Sequence, residues 1–216
     1  MIRVPEPERM DLPSEAEAYA AADFSDVNQA FVERLLVLTQ PRKTAVALDL
    51  GTGPADIPNR LTPLCPGWRI VAVDASYAML RIAGTRCSKA VALVLADAKT
   101  LPFPDNSFNI VFSNSILHHI NEVSLFWKEL HRIAAQKCLI FLRDLFRPSS
   151  KEEAWTIVQK YSGNESQTLK EEFFRSLLAA YTPQEVRQQL QTAGLSDLVV
   201  DLASDRHMDI WGIIKK

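Results

Sequence analysis

The chain has 216 residues, of which 47% are hydrophobic and 23% are charged. This composition supplies enough apolar side chain for a sizeable core and excludes disorder over most of the chain. The formal net charge is −2, which argues against a broad electrostatic footprint for nucleic acid or anionic lipid. We therefore expect a single domain over residues 1–216 that binds neither nucleic acid nor a membrane.

The spacing of the cysteines and the N-terminal sequence indicate the cellular compartment. Cys65, Cys87 and Cys138 are far apart and form no CxxC pair, so neither a zinc site nor a disulfide framework is expected. Residues 1–11 mix charges with prolines and offer no apolar run for a signal peptide. No run approaches the ~18 apolar residues that span a bilayer. A cytoplasmic protein is the expectation.

Hydrophobic periodicity predicts two helices near the start of the chain. Residues 14–22 are rich in Ala and Glu, with Ser14 at the N-cap position. Residues 26–38 place apolar side chains on one face at helical spacing, and Pro41 bounds this second helix. We expect residues 1–40 to form a helical lid.

The pattern changes after the second helix to short apolar runs separated by helical segments. Each run is too short for a helix and is typical of a strand buried on both faces. This alternation predicts a parallel sheet with helices on both faces, in a core over residues 41–145. The runs are 45–50, 69–73, 90–95, 108–112 and 138–142, and the helical segments include 55–64, 77–86, 115–119 and 123–135.

The C-terminal third departs from simple alternation. Residues 149–180 are helix-prone and predict a helical insertion, bounded at 146–181, between strands five and six. Residues 182–216 then predict a helix, capped by Thr182 with Pro183 in its first turn, and two strands at 195–202 and 207–214. The expected fold is α/β: a doubly wound seven-stranded sheet with the last strand antiparallel.

The junction between the first strand and the next helix carries the main chemical signal. Asp49 lies near the end of the strand, and Gly51 and Gly53 follow in the turn, where the backbone can approach a ligand closely. Ligands bind at this carboxyl edge in open α/β sheets. A buried Asp49 needs hydrogen bonds or a cationic partner. The structural alternative is an aspartate that only bonds loop amides.

The second strand ends at Asp74, 21 residues after Gly53. A carboxylate at this position can accept the hydroxyl protons of a ribose, which favours an adenosine-containing ligand. The dinucleotide fingerprint GxGxxG fails, because the chain has Asp56 where the third glycine belongs. A nicotinamide cofactor is thereby disfavoured.

Taken together, these segments resemble the class I S-adenosylmethionine-dependent methyltransferases of small-molecule type. The resemblance covers residues 44–145 and implies the cofactor S-adenosylmethionine and methyl transfer to a small-molecule acceptor by in-line displacement. No metal is expected, because ligand residues at metal-site spacing are lacking. The motifs that carry the resemblance, in the order and spacing of the family, are 48–55, 71–76 with Met79, 96–98, 101–109 and 110–119.

The resemblance implies roles for individual residues of the cofactor site. Asp49 would reach the ammonium of the cofactor, Asp74 would hold the ribose hydroxyls, and Asp97 would accept from the adenine amine. Alternatives are a loop cap for Asp97 and ordinary helix packing for Met79. Thr52 stands where the family often has Cys. The remaining implied cofactor contacts are Gly51, Gly53, Ala75, Ala98 and Asn114.

A catalytic pair is also implied, because in some members a His matching His118 works with a Tyr from an N-terminal helix, which Tyr19 would supply. A neutral imidazole at the methyl-transfer point could orient or deprotonate an acceptor. The alternative is a His that only caps or packs. Substrate contacts are expected from Phe24, His119, Arg143 and Asp144, although the last two could instead pair with each other.

Two functions of other classes stay open. A catalytically silent cofactor-binding partner protein would have the same fold, since fold does not dictate function. A nicotinamide-dependent reductase is less favoured, because of Asp56 and because the chain lacks a Tyr-x-x-x-Lys dyad. We expect a monomer or homodimer, and the sequence leaves the acceptor unnamed.

Overall fold

The computed structural model of the chain describes residues 1–8, 11–40 and 42–216. Within this part, seven strands form one sheet: β1 (Ala45–Leu50), β2 (Trp68–Asp74), β3 (Val91–Leu95), β4 (Phe108–Asn114), β5 (Ala134–Leu145), β6 (Val199–Leu202) and β7 (His207–Ile214). The strand order is β3-β2-β1-β4-β5-β7-β6. Strand β7 pairs antiparallel with both of its neighbours, and the other pairs are parallel.

Helices cover both faces of the sheet. They are α1 (Pro13–Ala21), α2 (Ser25–Thr39), α3 (Asp56–Leu64), α4 (Tyr77–Arg86), α5 (Val123–Ile133), α6 (Lys151–Ser162), α7 (Gln167–Ala179) and α8 (Pro183–Thr192), with a 3-10 helix at Leu117–His119. Among the described residues, no helix combines the length and the apolar character needed to cross a membrane.

Alternation along the strands builds a core on each side of the sheet. In β1, Ala47 packs with one core, which includes Phe31 of α2, while Leu48 packs with the other, which includes Trp127 of α5. Successive side chains of a strand point to opposite faces, so one short apolar run supplies both cores. A smaller cluster joins Leu145 to α6 and α7.

The predicted fold class is confirmed by this topology. Strands β1 and β7 and helix α4 begin and end at the predicted residues. The chain reverses its winding direction between β1 and β4, which are neighbours in the sheet. This is the switch point at which open α/β sheets bind ligands.

Several helix boundaries differ from the predictions. Helix α1 begins at Pro13, not after Ser14, because the restricted φ of proline suits a first helical position. The stretch 149–180 forms two helices, and the Ser166 side chain caps the second by accepting from the Leu169 amide. The helix predicted from 115 is a short 3-10 helix followed separately by α5. Pro41 lies outside the described residues.

Strand β6 begins at Val199, not at the predicted 195, because residues 195–198 form a turn in which the Leu198 amide donates to the Leu195 carbonyl at 3.0 Å. Two further strands differ from the predictions through their place in the sheet. Strand β3 is not buried on both faces, since it lies at the edge of the sheet and leaves Leu95 55% exposed. Strand β5 extends beyond the predicted 138–142 on both sides because it pairs with β4 and β7 along its length. Both differences depend on the position of a strand in the sheet, which a local apolar run does not encode.

Replacing Phe31 with Ala is expected to lower the free energy of unfolding by about 3–5 kcal/mol, because a large, fully buried ring leaves a cavity. Phe31 stacks on Phe141 with ring centroids 4.6 Å apart. Urea denaturation measures the effect. The control is Val37→Ala, an exposed position of the same helix, which should change stability by less than about 0.5 kcal/mol. Equal effects for the two variants would contradict the packing described here.

Candidate functional site

The turn after β1 contains three residues with left-handed backbone. Gly51, Gly53 and Ala55 have φ values of 69°, 54° and 63°. A side chain at position 51 would also meet Ile116, since a Cβ there would lie 3.0 Å from it. Both features favour glycine at position 51. The turn therefore brings backbone close to the edge of the sheet.

Asp74 ties this turn to the next strand. Its Oδ2 accepts from the Gly53 amide at 2.8 Å, and its Oδ1 accepts from the Ser76 amide at 2.8 Å. Burial raises the pKa of Asp74, although these backbone hydrogen bonds oppose the shift. A carboxylate held in this way keeps further lone pairs for a ligand.

Asp49 is the second buried carboxylate at this edge and is only 2% exposed. Burial raises its pKa to about 7, and the neighbouring Asp74 adds to the shift, while the nearby Thr52 side chain opposes it. Two buried acids at one strand edge are characteristic of a functional site rather than of a stable core.

Two adjoining cavities, of about 160 and 100 Å³, open at this edge and share Tyr19, Gly51, Gly53 and Asn114 in their walls. The first also contains Asp49 and Thr52, and the second contains the remaining predicted cofactor residues: Asp74, Ala75, Met79, Asp97 and Ala98. The structure thus brings together all ten residues that the sequence resemblance assigned to the cofactor.

Asn114 lies at the end of β4, in the wall that both cavities share. Its Nδ2 donates to Oδ1 of Asn28 at 3.0 Å. Its own Oδ1 is buried and has no hydrogen-bond partner within residues 1–8, 11–40 and 42–216. A buried acceptor of this kind is costly to leave unpaired and is suited to a donor from a ligand.

The predicted catalytic residues lie in different surroundings. Tyr19 lines both cavities, and its ring packs against Phe24 with centroids 4.9 Å apart. His118 lines neither cavity, and its Nδ1 lies 2.5 Å from Oδ1 of Asp144. No hydrogen bond joins Tyr19 to His118 among the described residues. Burial raises the pKa of the Tyr19 hydroxyl to about 12.

The predicted substrate residues are similarly divided. Phe24 lines the first cavity and His119 lines the second, whereas Arg143 and Asp144 line neither. The suggested pairing of Arg143 with Asp144 is wrong. Arg143 instead donates to both carboxylate oxygens of Asp209 at 2.7 and 2.9 Å. Adjacent residues of a strand point to opposite faces, so their side chains do not meet.

Sequence reasoning missed two arginines in the wall of the first cavity. Arg60 donates to Oδ2 of Asp56 at 2.6 Å, and Arg86 donates to the Ala20 carbonyl at 2.8 Å. The i,i+4 spacing of Asp56 and Arg60 at the start of α3 was a local signal that could have found Arg60. Arg86 reaches the cavity only through the packing of α1 against α4, for which no local signal exists.

Residues 48–142 match a family model described as a methyltransferase domain. Over 144 residues, the chain is 31% identical to a malonyl-acyl-carrier-protein O-methyltransferase of Legionella pneumophila, an alignment that covers 63% of this chain and 49% of that protein. Over 115 residues, it is 30% identical to a demethylmenaquinone methyltransferase of Roseiflexus sp., covering 52% and 48%. The chain spans about half the length of these relatives.

A solved structure of an S-adenosylmethionine-dependent methyltransferase from Aquifex aeolicus matches with a TM-score of 0.70 and 18% identity, covering 94% of this chain and 98% of that one. The fold is that of class I S-adenosylmethionine-dependent methyltransferases. Residues 48–142, which run from the end of β1 to most of β5 and hold nearly all of the strand-edge site, are the part of the chain that is similar to methyltransferase domains.

The raised pKa of Asp49 predicts how stability depends on pH. The folded protein holds this proton more tightly than the unfolded chain, so the contribution of Asp49 to stability falls as the pH rises from about 4 to about 7. We expect Asp49→Asn to remove this loss and to unfold at a higher temperature than the wild type at pH 8. Melting curves from pH 4 to 8 measure the difference.

The control for this experiment is Glu17→Gln, which removes an exposed carboxylate of α1. Its melting temperatures should follow those of the wild type at every pH. An Asp49→Asn variant with the wild-type pH dependence would show that Asp49 is ionised at little cost in the folded protein, contrary to its burial.

Proposed function

We propose that the protein binds S-adenosylmethionine at the carboxyl edge of β1, β2 and β4 and transfers its methyl group to a small-molecule acceptor. The observation that carries this proposal is the convergence of ten residues, from four strand ends, on two adjoining cavities. The named relatives support it, since both are methyltransferases. The predicted cytoplasmic location and the monomeric or homodimeric state stay predictions.

The residues of the first cavity fit the methionine end of this cofactor. The buried Asp49 carboxylate would be stabilised by a nearby ammonium, and Oδ1 of Asn114 requires a donor. An ammonium supplies both the positive charge and the N–H groups. Arg60 and Arg86, which line the same cavity, offer cationic partners for a carboxylate.

The residues of the second cavity fit adenosine. Asp74 offers acceptor lone pairs for ribose hydroxyls, and its position is set by the Gly53 and Ser76 amides. Met79 supplies an apolar wall, and Asp97 lines the same cavity. This division into a charged end and a partly apolar end matches the two ends of S-adenosylmethionine.

The cofactor supplies an electrophilic methyl group on a sulfonium. The protein must bring the acceptor into line with that methyl and exclude water, which accounts for most of the acceleration in such displacements. Tyr19, which lines both cavities, packs against Phe24, which lines the first, and we assign this aromatic pair that role. Because the pKa of Tyr19 is about 12, its hydroxyl stays protonated at neutral pH and acts as a hydrogen-bond donor, not as a base.

We therefore assign contact with the reacting groups to Tyr19 alone of the predicted pair. His118 is held behind the cavities by Asp144 and acts on the site only through the 3-10 helix that carries it. His119 of the same helix lines the second cavity. We assign the acceptor to the small-molecule class. The names of the relatives give a malonyl group on an acyl-carrier protein and a demethylmenaquinone as acceptors.

Calorimetric titration with S-adenosylhomocysteine tests the cofactor. We expect micromolar binding by the wild type and binding about 10–100-fold weaker by Asp74→Asn, because a charged acceptor of the ribose hydroxyls is lost. Asp201→Asn, an exposed position on β6 at the opposite edge of the sheet, is the matched control. Failure of the wild type to bind, together with binding of NADH or NADPH, would overturn the proposal in favour of a reductase.

Methyl transfer from labelled S-adenosylmethionine to malonyl thioesters and reduced quinones tests the reaction. We expect Tyr19→Phe to lower kcat about tenfold while affinity for S-adenosylhomocysteine changes less than about twofold, since one hydrogen bond to the acceptor is lost. Tyr77→Phe, at an exposed tyrosine of α4, should leave kcat unchanged. Cofactor binding without turnover of any acceptor would favour a catalytically silent binding protein instead.

A further inference from the structure

A second group of polar side chains lies at the edge of the second cavity, and the proposed methyl transfer assigns it no contact with the reacting groups. It consists of Glu6, from the N-terminal segment, and His118 and His119, from the 3-10 helix. Donor atoms of the three residues all lie within 4.8 Å of one another. Oε1 of Glu6 lies 3.1 Å from Nδ1 of His119 and 3.6 Å from Nε2 of His118.

The contact between Glu6 and His119 is not a hydrogen bond. Nδ1 of His119 is buried and has no hydrogen-bond partner among the described residues, even though a carboxylate oxygen lies 3.1 Å away. An imidazole lone pair and a carboxylate oxygen at this distance repel each other. A cation that both atoms can bind removes the repulsion.

His118 is oriented towards the same point by Asp144. The Asp144 carboxylate accepts from the Leu117 amide at 2.5 Å and contacts Nδ1 of His118 at 2.5 Å. A carboxylate on Nδ1 favours the tautomer with the proton on that nitrogen, which leaves the lone pair of Nε2 facing Glu6. Carboxylate support of this kind is the usual outer partner of a histidine that binds a metal.

Glu6 is also held in place. The Val4 amide donates to the Leu178 carbonyl at 3.0 Å, and Oγ of Ser176 donates to Oε1 of Glu6 at 3.1 Å. Both contacts fasten the N-terminal segment to α7. The three donor atoms are therefore supplied by backbone that other contacts fix, as a preorganised site requires.

We propose that Glu6, His118 and His119 bind a divalent transition-metal ion of the zinc class. In a tetrahedral site with metal bonds of about 2.0–2.2 Å to nitrogen and oxygen, two neighbouring ligand atoms lie about 3.3–3.5 Å apart. This separation falls between the 3.1 Å and 3.6 Å that join Oε1 of Glu6 to the nitrogens of His119 and His118. Three protein ligands leave a fourth position for water or for an oxygen atom of a substrate. This proposal departs from the sequence expectation of no metal and does not depend on the proposed methyl transfer.

A proton is the competing explanation for the cluster. A doubly protonated His118 would donate to both Asp144 and Glu6. Arg3, which donates to the His118 carbonyl at 2.9 Å, is a further positive charge near this cluster. That arrangement accounts for His118 but leaves Nδ1 of His119 without a partner in the part of the chain that the structure describes. Metal binding measured directly separates the two.

The test uses the whole chain, stripped of metal with a chelator and then titrated with Zn²⁺ by calorimetry and with Co²⁺ by visible absorption. We expect one ion per chain and the intense absorption of tetrahedral cobalt. Glu6→Gln and His119→Ala should each weaken Zn²⁺ binding at least tenfold, and Asp144→Asn about 10–100-fold. His131→Ala, at a half-buried histidine of α5 outside the cluster, should leave Zn²⁺ binding unchanged.

The proposal would be overturned if the wild type bound no stoichiometric ion, or if Glu6→Gln, His119→Ala and the wild type had equal affinity for Zn²⁺. Either result would favour a doubly protonated His118 as the explanation of the cluster. Circular dichroism of each metal-free variant shows whether it is folded, and Glu6→Gln retains the size and shape of the side chain. S-adenosylhomocysteine binding by the same samples is read separately, so a failure of the cofactor site is distinguishable from a failure of the metal site.

Discussion

The Asp74 carboxylate joins the ends of two adjacent strands, and the candidate site depends on it. One oxygen accepts from the glycine-rich turn after β1, and the other accepts from the residue that caps α4. Parallel strands end at the same edge of a sheet, so one buried acid can fix both connections. The two cavities meet at this turn, and their shape follows from where Asp74 holds the backbone.

The same edge carries an electrostatic cost. Asp49 and Asp74 are both removed from water, and burial raises the pKa of each. Such a pair is poorly suited to stabilising a core, and a hydrophobic residue at Asp49 would cost less. The arrangement is favourable for a ligand with a positive charge next to a hydroxyl-bearing sugar, because each carboxylate then meets the group that it accommodates best.

The N-terminal segment links this edge to the helical insertion. Arg3 donates to the carbonyls of His118 and Ala179, and its guanidinium lies 4.1 Å from the ring centroid of Tyr181. Asp144 holds the 3-10 helix from the other side. His119, in that helix, also lines the second cavity. A shift of the N-terminal segment would therefore move Glu6 relative to the two histidines and would alter the wall of the second cavity.

Local patterns in the chain were sufficient for the central strands and for the alternation of strands and helices. The residues that the family resemblance assigned to a cofactor lie together because motif residues that follow parallel strands converge at one edge whatever the packing of the helices. Tertiary packing set the rest. Glu6 meets His118 more than 100 positions away, and Arg143 meets Asp209 instead of its neighbour. Contacts between distant residues depend on how elements pack and which face each side chain occupies, and periodicity along the chain carries no record of either.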